Sequence, residues 1–380
     1  MPRDAATPPV PGLPDAVAGR DVPLARLTTL GLGGPAERVL VARDEDALVD
    51  AVTDADREQR PLLLVGGGSN LVVADDPLPG DVVVVRTAGT TDVDGPERDG
   101  RPTVDRTVAA GASWDAVVAS AVADGLAGIE CLSGIPGATG ATPIQNVGAY
   151  GQEVADTIVA VRVLDRRTGE VRELPAEACG FAYRDSAFKG RARYVVLAVT
   201  FRLPRDERSA PIRYAELAAT LGVAVGERVP AAEARDAVLA LRRGKGMVLD
   251  PGDPDTRSAG SFFTNPILDA EAFAALERRV AERLGADVAP PRHPAGDGRW
   301  KSSAAWLIDR AGFGRGHARP GAAISSKHAL ALTSRGGTTD DLLALAHEVA
   351  DGVRAAFGVQ LHPEPVLVGA RWDADRDGRR

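Results

Sequence analysis

The sequence predicts an α+β chain built from three blocks, and three observations carry that prediction. Short apolar runs of strand length recur at 39–42, 62–65, 82–85, 104–110, 158–165 and 194–203. Helical periodicity is clearest later, at 269–284, where Phe273, Leu276, Val280 and Leu284 form one stripe, and at 338–357, where Leu342, Leu345, Val349, Val353 and Phe357 form another. No repeat of solenoid period is visible.

The first block spans 15–86. Between its strands at 39–42 and 62–65 lies 44–59, with Leu48, Val49 and Val52 at helical spacing, which makes a strand–helix–strand unit. The second block, 87–247, holds the strands at 104–110, 158–165 and 194–203. Its helices are predicted at 114–123, where Trp114, Val117, Val118, Ala121 and Val122 share a side, and at 231–243. The third block, 248–358, carries the two amphipathic helices and a strand at 329–333; Thr338 and Asp341 fit a capping box at the start of the last helix. The Pro-rich start, 1–14, and the charged tail, 371–380, read as loose ends.

Composition narrows the function. With 380 residues, 44% of them hydrophobic, the chain can bury more than one core. The formal net charge of -8 argues against nucleic acid as the main partner. Two cysteines, Cys131 and Cys179, do not make a disulfide framework and point to a reducing compartment. No apolar run reaches membrane-spanning length, and the start lacks a hydrophobic signal core. The five histidines are scattered without zinc-ligand spacing, so no metal site is expected.

The most informative stretch is 133–151, SGIPGATGATPIQNVGAYG. Glycine loses more conformational entropy on folding than any other residue, so a run rich in it marks backbone that turns sharply or lies close against something. This run is uncharged and carries Ile135, Pro136, Pro143, Ile144, Val147 and Tyr150, which suit packing against a large, partly apolar ligand better than a solvated linker.

Other motifs read two ways. Residues 31–36, GLGGPA, match a dinucleotide fingerprint formally, but Pro35 leads into a strand pattern where the fingerprint requires a helix, so it is rejected. VGGGSN follows the strand at 62–65; its bare amides at Gly66, Gly67 and Gly68, with Ser69 and Asn70, form either an anion-binding nest or a plain tight turn. Ser261 precedes Phe262 and Phe263, as a turn cap beside core rings or as a functional hydroxyl. Arg184, in YRDS, is either a surface ion-pair residue or a bidentate carboxylate clamp. Glu364 sits between Pro363 and Pro365, either as a rigidly held carboxylate or in an exposed loop.

Taken together and in order, TTLGLGGPA, LVGGGSN, SGIPGATGATPIQNVGAYG, YRDSAFK, AGSFFTNP, SAAWLIDRAG and the Glu364 segment resemble the UDP-N-acetylenolpyruvoylglucosamine reductases, the MurB family, over roughly 20–370. The resemblance implies a two-domain FAD-binding module of the vanillyl-alcohol-oxidase type at 15–86 and 87–247, and a third, α/β substrate-binding domain at 248–358. The segment 359–370 would return to the second domain. It implies a cytoplasmic bacterial enzyme, monomeric, that uses non-covalent FAD and NADPH to reduce the enolpyruvyl ether of UDP-N-acetylglucosamine to UDP-N-acetylmuramate for peptidoglycan.

Carried over residue by residue, the resemblance makes Ser261 the proton donor, Arg184 the partner of the substrate carboxylate and Glu364 the C-terminal glutamate. Gly66, Gly67, Gly68, Ser69 and Asn70 match one flavin-contacting loop. Ser133, Gly134, Ile135, Pro136, Gly137, Thr139, Gly140, Asn146 and Gly148 match the other. Asn265 matches a residue near the uridine nucleotide, and Lys245 the diphosphate-binding lysine. Tyr214, in RYAEL, looks like the tyrosine that clamps the diphosphate in the type I subclass; the plain alternative is a tyrosine packed on a helix start. Thr264 and Pro365 depart from the family's common lysine and β-branched residue.

The residue types suit the chemistry. Hydride delivered to C3 of the enolpyruvyl group leaves negative charge on C2 and the carboxylate, which an arginine can offset. A serine hydroxyl is a weak acid, but a carbanion-like centre is a strong enough base to take its proton if the two are well placed. A different flavin oxidoreductase, or a nucleotide-sugar binding protein without flavin, are the rival readings.

Overall fold

The computed structural model describes residues 18–372, so the loose ends expected at 1–14 and across 373–380 lie outside the described residues. Two compact units result. Among the described residues, one takes 18–22 with Ala36–Gly68 and Pro79–Val248; the other takes Pro23–Pro35, Ser69–Leu78 and 249–372. This grouping differs from the three sequence blocks, and 359–370 groups with the unit that starts at Leu249. The reason is strand pairing. Val366–Val368 runs parallel to Leu71–Val73, and the Ala74 amide donates to the Val368 carbonyl at 2.8 Å. A parallel pair between segments this far apart in sequence leaves no local pattern to read.

In the first unit, Gly19–Pro23, Pro35–Ala42, Leu78–Val85 and Leu62–Val65 lie in that order in a four-stranded sheet. Helix α1, Glu45–Arg57, links two of these strands. Asp44 caps it by accepting the Ala47 amide at 2.8 Å, and it buries Leu48, Val52 and Ala55. A five-stranded antiparallel sheet follows, ordered Glu170–Pro175, Ile158–Asp165, Tyr194–Pro204, Arg101–Ala109, Thr90–Arg98. Helix α2, Trp114–Ala123, contributes Trp114, whose ring centroid lies 5.5 Å from that of Phe201 and whose indole N–H donates to the Leu132 carbonyl at 3.1 Å. Phe201 is fully buried, which is worth about 1.5–3 kcal/mol. Helices α3, Ala215–Leu221, and α4, Ala231–Gly244, close a smaller cluster around Ile212, Leu217, Val229 and Val238.

The strands Thr90–Arg98 and Glu170–Pro175 have no counterpart in the sequence reading. Both are edge strands with mostly exposed residues, so neither carries an apolar alternation to detect.

One charged group is built into this sheet. Asp165 is buried at the end of its strand, with Arg193 and Arg172 each at 2.7 Å and the Arg167 amide at 3.2 Å. The hydrogen bond from Arg193 is the largest influence holding its carboxyl down, to about 2. A depressed folded value stabilises the fold above the unfolded carboxylate range, about 3.9, and the contribution is lost as pH falls through about 2. Asp165→Asn is therefore expected to lower the urea midpoint at neutral pH. Its deficit should narrow once the pH drops below the carboxylate range, and a deficit independent of pH would rule out this charge effect.

In the second unit, Ser258–Ser261, Ala331–Ser334, Ala322–Ile324 and Ala318–Arg319 form a four-stranded sheet in that order. Helices α5, Ala270–Leu284, α6, Ala304–Arg310, and α7, Thr339–Phe357, pack with it: Phe273, Leu276 and Val280 share a core with Leu342, Leu345, Val349, Val353 and Phe357. The predicted capping box forms, Thr338 and Asp341 each accepting the other's amide. In GLGGPA, Gly34 serves backbone packing. A Cβ on Gly34 would land on the Asp75 carbonyl, and Pro35 opens a strand.

Candidate functional site

The first unit holds the two glycine loops and brings them together. The turn Gly66–Gly68 leaves the strand Leu62–Val65, and Arg86 braces it by donating to the Gly66 carbonyl at 2.8 Å. A Cβ on Gly67 would lie 2.5 Å from the Gly137 Cα, and one on Gly66 would lie 3.0 Å from the Ala138 Cβ. Real side chains do not sit that close, so glycine at Gly67 is what lets the two backbones touch. The second loop is fastened by its backbone. Thr139 N and Gly140 N donate to the carbonyls of Ala112 and Ala110, each at 2.8 Å, and Trp114 N donates to Gly137 O at 3.1 Å.

Several side chains named from sequence are turned inward. Ser133 is buried and donates to the Glu130 carbonyl at 2.6 Å, and the Thr139 hydroxyl donates to Ala112 O at 3.0 Å. The Asn146 amide donates to Glu153 and Ala182 O, while its oxygen accepts the Ala155 amide. These residues shape the loop from within, leaving its backbone as the surface offered to a ligand. Ile135 packs against the main core. Ser69 and Asn70 fall in the second unit, where the Asn70 carbonyl accepts the Val366 amide at 2.9 Å.

Three residues that support this loop escaped the sequence reading. Asp115, in the first turn of α2, accepts the Gly134 amide at 2.6 Å and is paired with Arg235 at 2.7 Å. Arg86 braces the Gly66 turn. Arg242 places its Nε 3.4 Å from where a Gly134 Cβ would be; this Nε is buried and has no hydrogen-bond partner. Burial pushes the Arg242 guanidinium below its ordinary value. One sequence signal could have exposed it: Arg242 continues the buried stripe of Ala231, Ala234 and Val238 on α4 at helical spacing. A neutral cradle of backbone glycines, beside a guanidinium whose Nε has no partner although another of its nitrogens donates to the Met247 carbonyl at 2.9 Å, fits a large, partly apolar ligand that carries hydrogen-bond acceptors. FAD meets that description.

Arg184 belongs to the same unit. Its backbone is left-handed, at φ 53°, a strained state for a residue with a side chain. The guanidinium donates to Gly148 O at 2.7 Å and Asn146 O at 3.3 Å, and its own carbonyl accepts Lys189 Nζ at 2.7 Å. The loop therefore fixes where its positive charge sits. Tyr214, 45% exposed, sits just before α3 and meets Tyr150 edge-on at 5.4 Å between centroids. Lys245 lies 5.6 Å above the Tyr150 ring and pairs with Glu216 at 2.5 Å.

The second unit holds Ser261 and Glu364 on neighbouring segments, bridged at Phe263 and Pro363. Ser261 ends a strand whose partner is Ala331. Beyond it, Phe262 N donates to Leu330 O at 2.7 Å, Glu364 N donates to Phe262 O at 2.8 Å, and Thr264 N donates to His362 O at 3.1 Å. This ladder sets Glu364 opposite Phe262, next to Ser261. Both rings of the Phe262–Phe263 pair are buried, and Trp372 covers them at 6.4 and 6.0 Å while stacking on His347 at 4.1 Å. Trp372 lies in the stretch 371–380 that composition reads as frayed, and it is packed. Asn265 Oδ1 accepts the Ala304 amide at 3.0 Å at the start of α6.

The chain is similar to known proteins over most of its length. A family profile described as "UDP-N-acetylenolpyruvoylglucosamine reductase, C-terminal domain" matches 253–368, and one described as "FAD binding domain" matches 36–175. The chain is 58% identical over 351 residues to the UDP-N-acetylenolpyruvoylglucosamine reductase of Thermobifida fusca, covering 92% of this chain and 98% of that one. It is 51% identical over 357 residues to that of Mycolicibacterium smegmatis, covering 92% and 94%. The crystal structure of the reductase from Thermus caldophilus superposes with a TM-score of 0.61 at 25% identity, over 93% of this chain and 99% of that one.

Proposed function

Because the chain belongs to the UDP-N-acetylenolpyruvoylglucosamine reductase family, we propose that its own residues divide the work of that reduction between a flavin cradle, a charge clamp and a proton donor. The enzyme is an FAD-dependent oxidoreductase of peptidoglycan precursor synthesis, acting on the enolpyruvyl ether of UDP-N-acetylglucosamine. The observation that supports the proposal is the ladder that fixes the Glu364 segment against Phe262, the residue after Ser261, while Ser261 itself pairs with Ala331.

FAD, when bound, supplies the hydride, drawn from NADPH as co-substrate. Gly66, Gly67, Gly68, Gly137 and Gly140 would hold it by their backbone, and Arg242 would offer its unpartnered Nε. Arg184 sets a fixed positive charge against the substrate carboxylate, where negative charge gathers as C3 receives hydride. Ser261 Oγ–H gives its proton to C2, completing the lactyl ether of UDP-N-acetylmuramate. Glu364, in its protonated form, donates a hydrogen bond to the same carboxylate. Asn265 stands near the uridine nucleotide, and Lys245 and Tyr214 hold the diphosphate. The division of labour into a two-domain flavin module, 15–86 and 87–247, and a substrate domain, 248–358, belongs to the same proposal, as do a monomeric state and a cytoplasmic location. No helix of the described residues is long and apolar enough to cross a membrane.

The test of class is optical. The purified protein is expected to be yellow, to bleach anaerobically with NADPH and to recover its colour on adding UDP-N-acetylenolpyruvoylglucosamine. Recovery only on admitting oxygen would sink the substrate assignment. Tyr214→Phe removes one hydroxyl and keeps the ring contact with Tyr150, so it is expected to raise the substrate KM about 10–100-fold, one lost hydrogen bond to a charged group. An unchanged KM returns Tyr214 to a packing role.

A further inference from the structure

We propose that Glu216 is a displaceable counter-ion of Lys245 that competes with the substrate's diphosphate and so sets the affinity for the nucleotide end of the substrate; this rests on the diphosphate role proposed for Lys245. Lys245 Nζ lies 2.5 Å from Glu216 Oε2. Glu216 sits in the first turn of α3, two residues beyond Tyr214, which precedes that helix. One short segment therefore presents both the tyrosine clamp and a carboxylate, and the carboxylate occupies the lysine that the clamp's ligand needs.

The surroundings favour exchange. The two side chains are 29% and 42% exposed, so an incoming anion can reach the lysine. An ion pair this exposed is weak and is screened by salt, whereas a diphosphate brings several charged oxygens to one point charge. Lys245 also lies over the Tyr150 ring, and Tyr150 touches Tyr214, so the lysine is already held near the clamp without Glu216. Arg213, the other exposed cation of the segment, faces Asp156 at 4.0 Å. Once the diphosphate takes Lys245, Glu216 is left as a like charge nearby. Both the broken pair and the repulsion subtract from affinity.

A merely structural role predicts the opposite sign. An acidic residue in the first turn of a helix favours that helix, so neutralising Glu216 would slightly loosen α3 and weaken any ligand that α3 helps to hold. The proposal predicts tighter binding instead.

The experiment titrates the FAD-loaded enzyme with UDP alone by calorimetry, for the wild type, Glu216→Gln, Glu216→Ala, Lys245→Ala and the Glu216→Gln/Lys245→Ala double variant. Both Glu216 variants are expected to bind UDP about 2–5-fold more tightly, with a gain that shrinks as salt rises. Lys245→Ala is expected to weaken UDP, and Glu216→Gln to add much less in that background. If Lys245→Ala weakens UDP but the Glu216 variants bind it no better than wild type, the counter-ion role is overturned while the diphosphate site stands. If Lys245→Ala leaves UDP affinity unchanged, the diphosphate reading fails and the proposal with it.

Discussion

Ser261→Ala is expected to leave reduction of the flavin by NADPH near the wild-type rate and to slow its reoxidation by the enolpyruvyl substrate by about 10²–10⁴-fold. At about 1.4 kcal/mol per factor of ten, that is roughly 3–5 kcal/mol of lost transition-state stabilisation. The asymmetry follows from where the proton goes. Only the second half-reaction creates a carbanion-like centre at C2, so only that half needs an acid at Ser261. The substitution removes one oxygen from a residue at the end of a strand whose neighbours are fixed by their backbones, Phe262 to Leu330 and Glu364 to Phe262. The scaffold should survive it. Stopped-flow spectra of the two half-reactions, taken separately, decide the matter: equal slowing of both, or of neither, removes Ser261 from the role of proton donor.

Gly67→Ala is expected to strip the enzyme of its cofactor. The added Cβ would lie 2.5 Å from the Gly137 Cα and 3.1 Å from its carbonyl carbon. Both obstacles are backbone, in a loop tied down by amides at Trp114, Thr139 and Gly140. Neither loop can yield by turning a side chain. Overpacking of this kind costs typically about 1–3 kcal/mol, or about 5–150-fold if it falls on the geometry that receives the cofactor. The readout is the flavin content of the purified protein and the dissociation constant for added FAD, with thermal unfolding of the apoprotein as control. A variant that binds FAD as tightly as wild type would show that the Gly67–Gly137 contact is incidental to the cradle. Gly66→Ala meets only the Ala138 side chain, at 3.0 Å, and is expected to lose less.

Much of the fold was legible because it depends on local periodicity. The strands Leu62–Val65 and Ile158–Asp165 and the helix Trp114–Ala123 were read to the residue, since each is a buried run or a single apolar face bounded by turn residues. The Thr338–Asp341 box was legible for the same reason: its partners are three residues apart. The edge strands were not legible, because exposed strands carry no such pattern.

The candidate site divides along the same line. Motif order named Ser261, Arg184, Glu364 and the two glycine loops. It did not reveal that Asn146, Ser133 and Thr139 spend their polar atoms inside the loop. Nor did it reveal Asp115 or Arg86, whose partners lie on other segments, or Arg242, whose Nε is buried without a partner.

The glycine run and its neutrality, the order of strands and helices along the chain and the residue types for a reduction with protonation were set by the sequence alone. These are properties of short windows, where spacing and side-chain chemistry act directly. The closeness of Gly67 to Gly137, the grouping of Leu71–Val73 with Val366–Val368, and the pairing of Lys245 with Glu216 were decided only by the tertiary structure. Each joins segments far apart in the chain, and such contacts form when buried surface and paired backbone groups offset the entropy of closing a long loop. That balance belongs to the whole fold, and no short window of residues records it.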